Sequence, residues 1–173
     1  MIERVEGGVE DAEALTAHLI DWYLAWAGGE QVARGRFTAE ELPATLEQVR
    51  AHVRAELPAM LGPPGRLLIC RQNGLVTGMV GLKPVDEHRG EIKRMVVDPA
   101  HRGRGIARAL LDRLVADART EGYQRLRLET VDFMTSALGL YQSVGFREVA
   151  GFEGGEAVTL GMADGMHFLE LAL

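Results

Sequence analysis

The sequence predicts a three-layer α/β fold in which helices cover both faces of one mixed β-sheet. Three observations lead to this prediction. Two segments near the start carry apolar residues at helical spacing, a pair of alternating strands flanks Asn73-Gly74, and a strand–helix–strand unit follows. Because antiparallel neighbours precede a parallel crossover, we expect both kinds of strand pairing in the same sheet.

The first third of the chain predicts one short strand and two helices. Residues 2–5 form the strand. A helix begins near Asp11, because apolar residues then recur at intervals of three and four, and Gly28-Gly29 are expected to end it. A second helix begins near Thr38, where Glu41 completes a capping box. Its apolar stripe comprises Leu42, Leu46, Val49, Val53 and Leu57.

The remainder of the chain alternates between strands and helices. Asn73-Gly74 is a strong hairpin signal, and Gly122 is expected to end the helix that precedes it. The predicted strands are 67–71, 75–83, 91–97, 126–130, 146–149 and 167–173, and the predicted helices are 106–121 and 135–143.

Length and composition indicate a single domain, residues 1–173, with an ordinary globular balance of 47% hydrophobic and 25% charged residues. The net charge of −6 argues against a general nucleic-acid binder. One cysteine, Cys70, excludes an internal disulfide, and its apolar neighbours predict a packed thiol. The five histidines lack metal-ligand spacing, so no metal is expected. With no apparent leader and no long apolar run, we expect a cytoplasmic protein that does not associate with membranes.

The most informative segment is the loop that joins the strand ending at Val97 to the next helix. Its glycines allow sharp turns and close approach of a ligand, and the helix start offers unpaired N–H groups. Arg102, Arg104 and Arg108 add positive charge. These features predict a phosphate site. Taken alone, the loop is equally consistent with a tight turn that has no ligand. An RNA-binding arginine–glycine segment is disfavoured, because the motif occurs once between patterned elements.

Two motifs give this chain a family resemblance. Arg102-Gly103-Arg104-Gly105-Ile106-Ala107 fits an Arg/Gln-x-x-Gly-x-Gly/Ala signature, and residues 140–146, Leu-Tyr-Gln-Ser-Val-Gly-Phe, fit a second one. Residues 91–149 thereby resemble the GNAT superfamily of acetyl-CoA-dependent N-acyltransferases. The resemblance implies a sheet splayed between strands four and five. It also implies acetyl-CoA as acyl donor and a primary amine as acceptor, with a homodimer as a possible assembly.

The resemblance also assigns residues to the coenzyme. It implies that the backbone amides of Gly103, Gly105, Ile106 and Ala107 hold the pyrophosphate, which agrees with the phosphate site inferred from the loop itself. It further implies that pantetheine pairs with the backbone of Met95 and Val97 at an exposed strand edge. Many members carry an asparagine seven residues before the tyrosine of the second motif. Here that position is Met134, so the corresponding side-chain hydrogen bond is in doubt.

Two residues are predicted to act in catalysis. The resemblance implies that Tyr141 protonates the departing thiolate; the alternative is that it only packs against the coenzyme. Glu91 lies eleven positions before Arg102, where histone-acetylating members carry their general base. The alternatives are that Glu91 is a solvent-facing strand residue paired with Lys93 or Arg127, and that a water relay rather than Glu91 is the base.

The acceptor is not identified by the sequence. Trp22, Tyr23, Trp26 and Phe37 either line a pocket or belong to the core. The glycine-rich segment 151–165 carries Glu153, Glu156 and Asp164 and is either a mobile rim that attracts cationic amines or an ordinary hairpin. Two other functions compete: a non-catalytic acyl-CoA-binding module on the same fold, and a phosphate-loop nucleotide enzyme. The second is disfavoured because the Gly-Lys-Ser/Thr ending is absent.

Overall fold

The computed structural model describes residues 1–152, 154–159 and 164–173, with the side chains of residues 157 and 158 excepted. The described residues form one seven-stranded sheet in the order β1-β2-β3-β4-β5-β7-β6. The strands are β1 (Ile2–Arg4), β2 (Arg66–Gln72), β3 (Leu75–Pro84), β4 (Arg89–Val97), β5 (Arg125–Val131), β6 (Arg147–Glu148) and β7 (Met166–Ala172). The helices are α1 (Val9–Ala33), α2 (Leu42–Leu61), α3 (Ile106–Thr120), α4 (Thr135–Val144) and α5 (Glu156–Thr159).

Two apolar cores lie on opposite faces of this sheet, which confirms the predicted three layers. One core joins the inward stripe of α3 to alternate residues of β5 and β7, with Tyr141 and Phe146 at its edge. The other joins α1 and α2 to alternate residues of β2 and β3, with Val96 of β4. The strands β2, β3 and β4 contribute to both cores, because successive side chains of a strand point to opposite faces. No helix among the described residues combines the length and apolar character needed to cross a membrane.

The hairpin signal is confirmed, because Asn73 and Gly74 both have positive φ, 49° and 83°, in the turn between β2 and β3. Cys70 is buried on β2, as predicted. The Thr38–Glu41 capping-box bonds form: each backbone amide donates to the other's side chain, at 2.8 and 3.2 Å. These bonds close a turn ahead of α2, and the helix itself begins at Leu42.

The expected end of the first helix at Gly28-Gly29 is wrong, since α1 continues to Ala33. Gly28 is buried where α1 crosses α2, and a Cβ added there would lie 2.8 Å from Leu42 Cδ1. Gly29 faces open space. The first glycine therefore permits close approach of two helices, and packing outweighs the low helix propensity of the pair.

The predicted splay between the fourth and fifth strands is confirmed. β4 and β5 pair in parallel only over Arg89–Glu91 and Arg125–Arg127. Beyond Glu91, β4 bulges: its register with β3 shifts between Met79 and Gly81, and Arg94 has φ of 55°. The rest of β4 up to Val97 stays bonded to β3 and leaves its other edge turned toward the gap.

Candidate active site

The loop between β4 and α3 has the geometry of an anion site. Asp98 caps a single 3-10 turn by accepting a 2.8 Å hydrogen bond from the Ala100 amide. Gly103 and Gly105 follow with φ of 73° and 76°, in the left-handed region that other residues rarely adopt. α3 then begins at Ile106. A Cβ added at either glycine would meet no atom within 4 Å, so backbone conformation rather than crowding requires glycine here.

Several N–H groups of this loop are available to a ligand. Among the described residues, none accepts a hydrogen bond from the amides of Gly103, Gly105, Ile106 and Ala107. These are the amides at the positive end of a fifteen-residue helix. The arrangement is the one that backbone anion sites use.

The three arginines of this region differ in their partners. Arg108 is paired with Asp112 at 2.8 Å along α3. Neither Arg102 nor Arg104 has a carboxylate partner among the described residues. The Arg102 guanidinium lies over the Trp22 ring, and its Nε donates to the Val97 carbonyl at 3.3 Å. Arg102 and Arg104 thus leave two uncompensated positive charges beside the free amides.

A cavity of about 170 Å³ opens where β4 and β5 separate. It begins under α1 and α2 and passes through the gap to Tyr141 of α4, on the opposite face of the sheet. The gap thereby connects the two faces of the sheet near the end of β4. The loop that follows β4, residues 98–105, is called the phosphate loop from here on. The apolar part of its wall includes Leu24, Ala27, Phe37, Leu42, Leu46, Val49, Phe133, Met134 and Met166. The polar part includes Tyr23, Gln31, Thr45, Lys93, Arg94, Glu129, Thr130, Tyr141 and Glu156.

A cluster of mostly buried charged residues, which we call the ionic layer, lies at one end of the cavity, and its members Lys93, Arg94 and Glu156 line the cavity. Lys93 lies 2.9 Å from Glu156 and 3.5 Å from Glu56, and Arg94 lies 2.9 Å from Glu156 and 2.8 Å from Glu56. Lys83 adds a 2.6 Å hydrogen bond to Glu56. The members are Glu56, Lys83, Glu91, Lys93, Arg94, Arg127 and Glu156. Three carboxylates face four cations, and each carboxylate lies within ion-pair distance of at least two of them, as buried charges require.

This arrangement changes the interpretation of segment 151–165. Burial alone would raise the pKa of Glu156, but the charges of Arg94 and Lys93 lower that pKa to about 2. The expectation that Glu156 is an accessible acid on a loop rim is therefore wrong, because the carboxylate is nearly buried and paired with two cations. Asp164 is 4.0 Å from Arg36 and almost fully exposed. Glu153 and Gly161 lie outside the described residues.

The ionic layer also contains the nearest approach to a metal site. Ligand atoms of His52, Glu56 and Glu156 lie within 4.8 Å of one another. Both carboxylates already face Lys93 and Arg94, so a divalent cation would have to displace these paired ammonium and guanidinium groups. The donor set does not suit a metal ion.

Glu91 is fully buried behind the cavity wall. Its carboxylate accepts a 2.9 Å hydrogen bond from Arg127 Nε, forms an ion pair with Arg127 Nη2 at 2.8 Å and lies 3.1 Å from Lys93. Lys93 and Arg127, the partners expected from the sequence, both contact Glu91, but these contacts are buried and not exposed to solvent. Lys93 lines the cavity, whereas Glu91 does not. Glu91 stays a predicted base, and any proton would reach it through an intermediary.

Tyr141, on α4, and Met134, just before it, both line the cavity. Tyr141 is 5% exposed and packs edge-on against Phe146, with ring centroids 5.8 Å apart. Burial raises the pKa of its hydroxyl well above the usual 10. Met134 precedes α4 and accepts a 3.5 Å hydrogen bond from the Thr130 hydroxyl to its sulfur. A thioether donates no hydrogen bond, so this position offers a contact surface only.

Sequence reasoning missed two polar residues of the cavity. The alternating pattern around Glu129 predicts only a strand, yet that alternation puts Glu129 on the same face as Arg127, away from the buried Leu126 and Leu128. Arg94 enters the cavity because of the β4 bulge, which no local pattern indicates.

The four aromatic residues of α1 and the following turn were expected either to line a pocket or to belong to the core, and they divide between these two positions. Tyr23 and Phe37 line the cavity, whereas Trp22 and Trp26 stack on each other with centroids 5.6 Å apart and planes at 6°.

Comparison with known proteins gives concordant results. The model of the acetyltransferase (GNAT) family matches residues 30–146. N-acetyltransferase 8B of Homo sapiens is 44% identical over 78 residues, which cover 42% of this chain and 34% of that protein. IAA acetyltransferase of Azospirillum brasilense is 37% identical over 95 residues, which cover 54% of this chain and 61% of that protein. The chain thus spans between a third and three fifths of the length of these curated relatives.

A solved structure with the same fold covers the whole chain. PaiA N-acetyltransferase of Thermoplasma acidophilum, solved in complex with coenzyme A, superposes with a TM-score of 0.69. The alignment covers 100% of this chain and 99% of that one, at 15% identity. This likeness establishes the arrangement of helices and strands.

Proposed function

The chain belongs to the GNAT acetyltransferase family. We propose that it transfers an acetyl group from acetyl-CoA to a primary amine whose remaining substituent is apolar. One observation of the structure supports this most strongly. The cavity connects both faces of the sheet through the β4–β5 gap, beside a loop of unpaired amides and within reach of a buried tyrosine hydroxyl. A donor on one side and an acceptor on the other would meet in this gap.

The donor side fits coenzyme A in three respects. The free amides of Gly103, Gly105, Ile106 and Ala107 suit a pyrophosphate, with Arg102 and Arg104 as uncompensated charges nearby. The edge of β4 at Met95 and Val97 faces the gap and suits the amides of pantetheine. Arg108 is paired with Asp112 at the surface, so it can contact the coenzyme only if its guanidinium leaves Asp112. The coenzyme would supply an activated thioester.

Tyr141 would serve as the acid. In direct transfer the amine nitrogen forms a bond to the acetyl carbonyl carbon, the bond from that carbon to sulfur breaks, and the thiolate takes up a proton. Tyr141 lines the cavity, and its raised pKa keeps the hydroxyl protonated at neutral pH. The same shift makes the hydroxyl a weaker acid than an ordinary phenol, so Tyr141 would donate to the thiolate as negative charge develops on sulfur.

The base is one of two carboxylates. We propose that Glu129 accepts the proton from the attacking amine, because it lies on the cavity wall on β5 with access to the gap. Glu91, indicated by the family offset, is the alternative and would act through a relay past Lys93. Glu156 is a poor candidate, since its lowered pKa makes it a weak base.

The acceptor side favours an amine with an uncharged, apolar body. Leu24, Phe37, Leu46 and Phe133 form much of the wall contributed by α1, α2 and the segment after β5. At the other end, the ionic layer holds four cations against three carboxylates, and each carboxylate is already paired. A second positive charge on the acceptor would therefore meet no surplus of negative charge there and would be desolvated at a large cost.

The experiment that tests this function measures free coenzyme A thiol released from acetyl-CoA in the presence of an amine panel. Arylalkyl and branched alkyl amines are expected to turn over, and polyamines of similar length are expected to do so at least tenfold less efficiently. Tight binding of acetyl-CoA without thiol release across the panel would favour the non-catalytic acyl-CoA module instead. A homodimer and a cytoplasmic location are further proposals from the resemblance; light scattering and cell fractionation test them.

A further inference from the structure

A row of aromatic and guanidinium groups crosses α1 on the cavity face of the sheet. Arg102 lies 4.6 Å from the ring centroid of Trp22, which stacks on Trp26 at 5.6 Å. Trp26 meets Phe133 edge-on at 5.6 Å, and Arg34 lies 4.6 Å from the Phe133 centroid. We call these five residues the aromatic row. Offset and edge-on ring pairs of this kind are favourable contacts.

The aromatic row joins the ends of the two strands that separate. Arg102 lies after β4, in the loop that carries the free amides, and Phe133 lies after β5, in the wall of the cavity. Trp22 and Trp26 lie on α1, next to Tyr23, which also lines the cavity. The row therefore runs from the phosphate loop to Phe133 in the part of the cavity wall proposed to hold the acceptor, which we call the acceptor wall.

Arg102 is held in place on two sides. Its Nε donates to the Val97 carbonyl at 3.3 Å, and the Trp22 ring covers its guanidinium. No carboxylate among the described residues lies within ion-pair distance of it, so its charge is not compensated within this part of the chain. An arginine on an exposed loop would otherwise occupy many rotamers, and fixing it beforehand lowers the entropic cost of binding an anion.

We propose that Trp22 is a positioning residue for coenzyme binding and that it acts through Arg102. The ring holds the guanidinium beside the phosphate loop, where it meets the pyrophosphate of the coenzyme. This inference rests on the proposed function. Because Trp22 lies on the helix that also forms the acceptor wall, the contact ties the donor site to that wall.

The first test replaces Trp22 with leucine and measures binding by calorimetry. The Kd for coenzyme A is expected to rise about threefold to tenfold, the range that one cation–π contact supplies. The Kd for pantetheine, which lacks the pyrophosphate, is expected to stay within about twofold. Trp22→Phe keeps a ring under the guanidinium and should recover most of the affinity. Equal losses for both ligands would overturn the proposal, because they would indicate a general distortion.

A double-mutant cycle decides whether Trp22 acts through Arg102. In an Arg102→Gln background, Trp22→Leu is expected to change coenzyme A affinity by less than about twofold, because the group it positions is gone. If Trp22→Leu weakens coenzyme A binding by the same factor in the Arg102→Gln background as in the parent, the two residues act independently and the proposal is overturned. Failure of the parent protein to bind coenzyme A at all would instead contradict the proposed function.

Intrinsic fluorescence adds a readout that a purely structural role would not change. The chain has two tryptophans, and both belong to the aromatic row. Coenzyme A is expected to shift the emission of the parent protein, because the pyrophosphate binds to the guanidinium that lies over the Trp22 ring. Arg102→Gln should abolish this shift at saturating coenzyme A, and a shift of the same size in that variant would overturn the proposal.

Discussion

The guanidinium of Arg94 and the carboxylate of Glu156 lie 2.9 Å apart, although β4 and α5 are separated by some sixty residues of chain. The same carboxylate accepts a 2.9 Å hydrogen bond from Lys93. The short helix α5 is thereby fastened to the bulge of β4 by buried ion pairs, and those pairs require Glu156 to be ionised.

Stability should therefore fall in acid in a defined range. The pKa of Glu156 is about 2 in the folded protein and 4.5 for an ordinary glutamate. Its contribution is complete above pH 4.5 and is lost as the pH falls toward 2. Glu156→Gln should lower the free energy of unfolding at pH 7 by about 3 kcal/mol and should reduce the acid dependence below pH 4.5.

Urea denaturation at several pH values measures this effect, and Glu40→Gln, at an exposed site, is the matched control. An acid dependence in Glu156→Gln as steep as in the parent would contradict the assignment of Glu156 to the ionic layer.

Adjacent glycines in α1 should respond in opposite directions to the same substitution. Gly29→Ala is expected to raise the free energy of unfolding by about 0.5–1 kcal/mol, because alanine is the better helix former and the site faces open space. Gly28→Ala should be less stable than Gly29→Ala by at least about 1 kcal/mol, because its methyl group would press on Leu42 and Leu46. Thermal and chemical denaturation test this, and equal stability of the two variants would show that α1 and α2 separate readily.

Coenzyme binding should depend on Gly105 beyond its effect on stability. Gly105→Val forces a β-branched residue into φ of 76° at the start of α3 and should abolish detectable binding of acetyl-CoA by calorimetry. Gly122→Val is the control, because Gly122 has φ of 88° at the other end of α3 and also faces open space. Both variants should lose about 1–3 kcal/mol of stability. Equal affinity in Gly105→Val and the parent would remove the loop from the binding site.

Tyr141→Phe should separate catalysis from binding. If the hydroxyl protonates the thiolate, turnover should fall about a hundredfold or more, while the Kd for acetyl-CoA changes less than about threefold. Because burial raises the pKa of Tyr141 above 10, the parent should not lose activity through ionisation of this group up to pH 9. Unchanged turnover in Tyr141→Phe would leave the ring as a packing contact only.

The two candidate bases can be distinguished by their pH profiles. Glu129→Gln should lower turnover at least tenfold and flatten the rise of rate with pH, because it removes the carboxylate on the cavity wall. Glu91→Gln should instead reduce stability, since Arg127 would lose its buried partner. The reverse result, a flattened profile in Glu91→Gln alone, would assign the base to Glu91 and a relay.

The elements that the sequence predicted correctly are those with a strong local cause. The Asn73-Gly74 turn needs positive φ at two successive residues, and few residue types allow it. The apolar stripe of α3 has one consistent period, which matches its buried face. The phosphate loop combines glycine at fixed positions with a helix start, so its free amides could be anticipated.

The features that escaped prediction depend on contacts distant in sequence. Gly28 looks like a helix end until Leu42 is brought against it. Glu156 looks like an exposed acid until the β4 bulge places Arg94 beside it. Arg102 looks like a free cation until α1 brings Trp22 under its guanidinium. In each case the partner is at least fourteen residues away, and local pattern carries no information about it.

The gap between β4 and β5 has a consequence for how the protein responds to its donor. The two strands share three residue pairs, and past them each arm of the sheet keeps its hydrogen bonds on one side only. A ligand whose amides occupy that gap takes the place of a missing strand and contributes to folding by mass action. Backbone amides of β4 that face the gap should exchange with deuterium quickly in the free protein and slowly once coenzyme A is present. The supply of acetyl-CoA would then govern how long each molecule survives unfolding and proteolysis, as well as how fast it works.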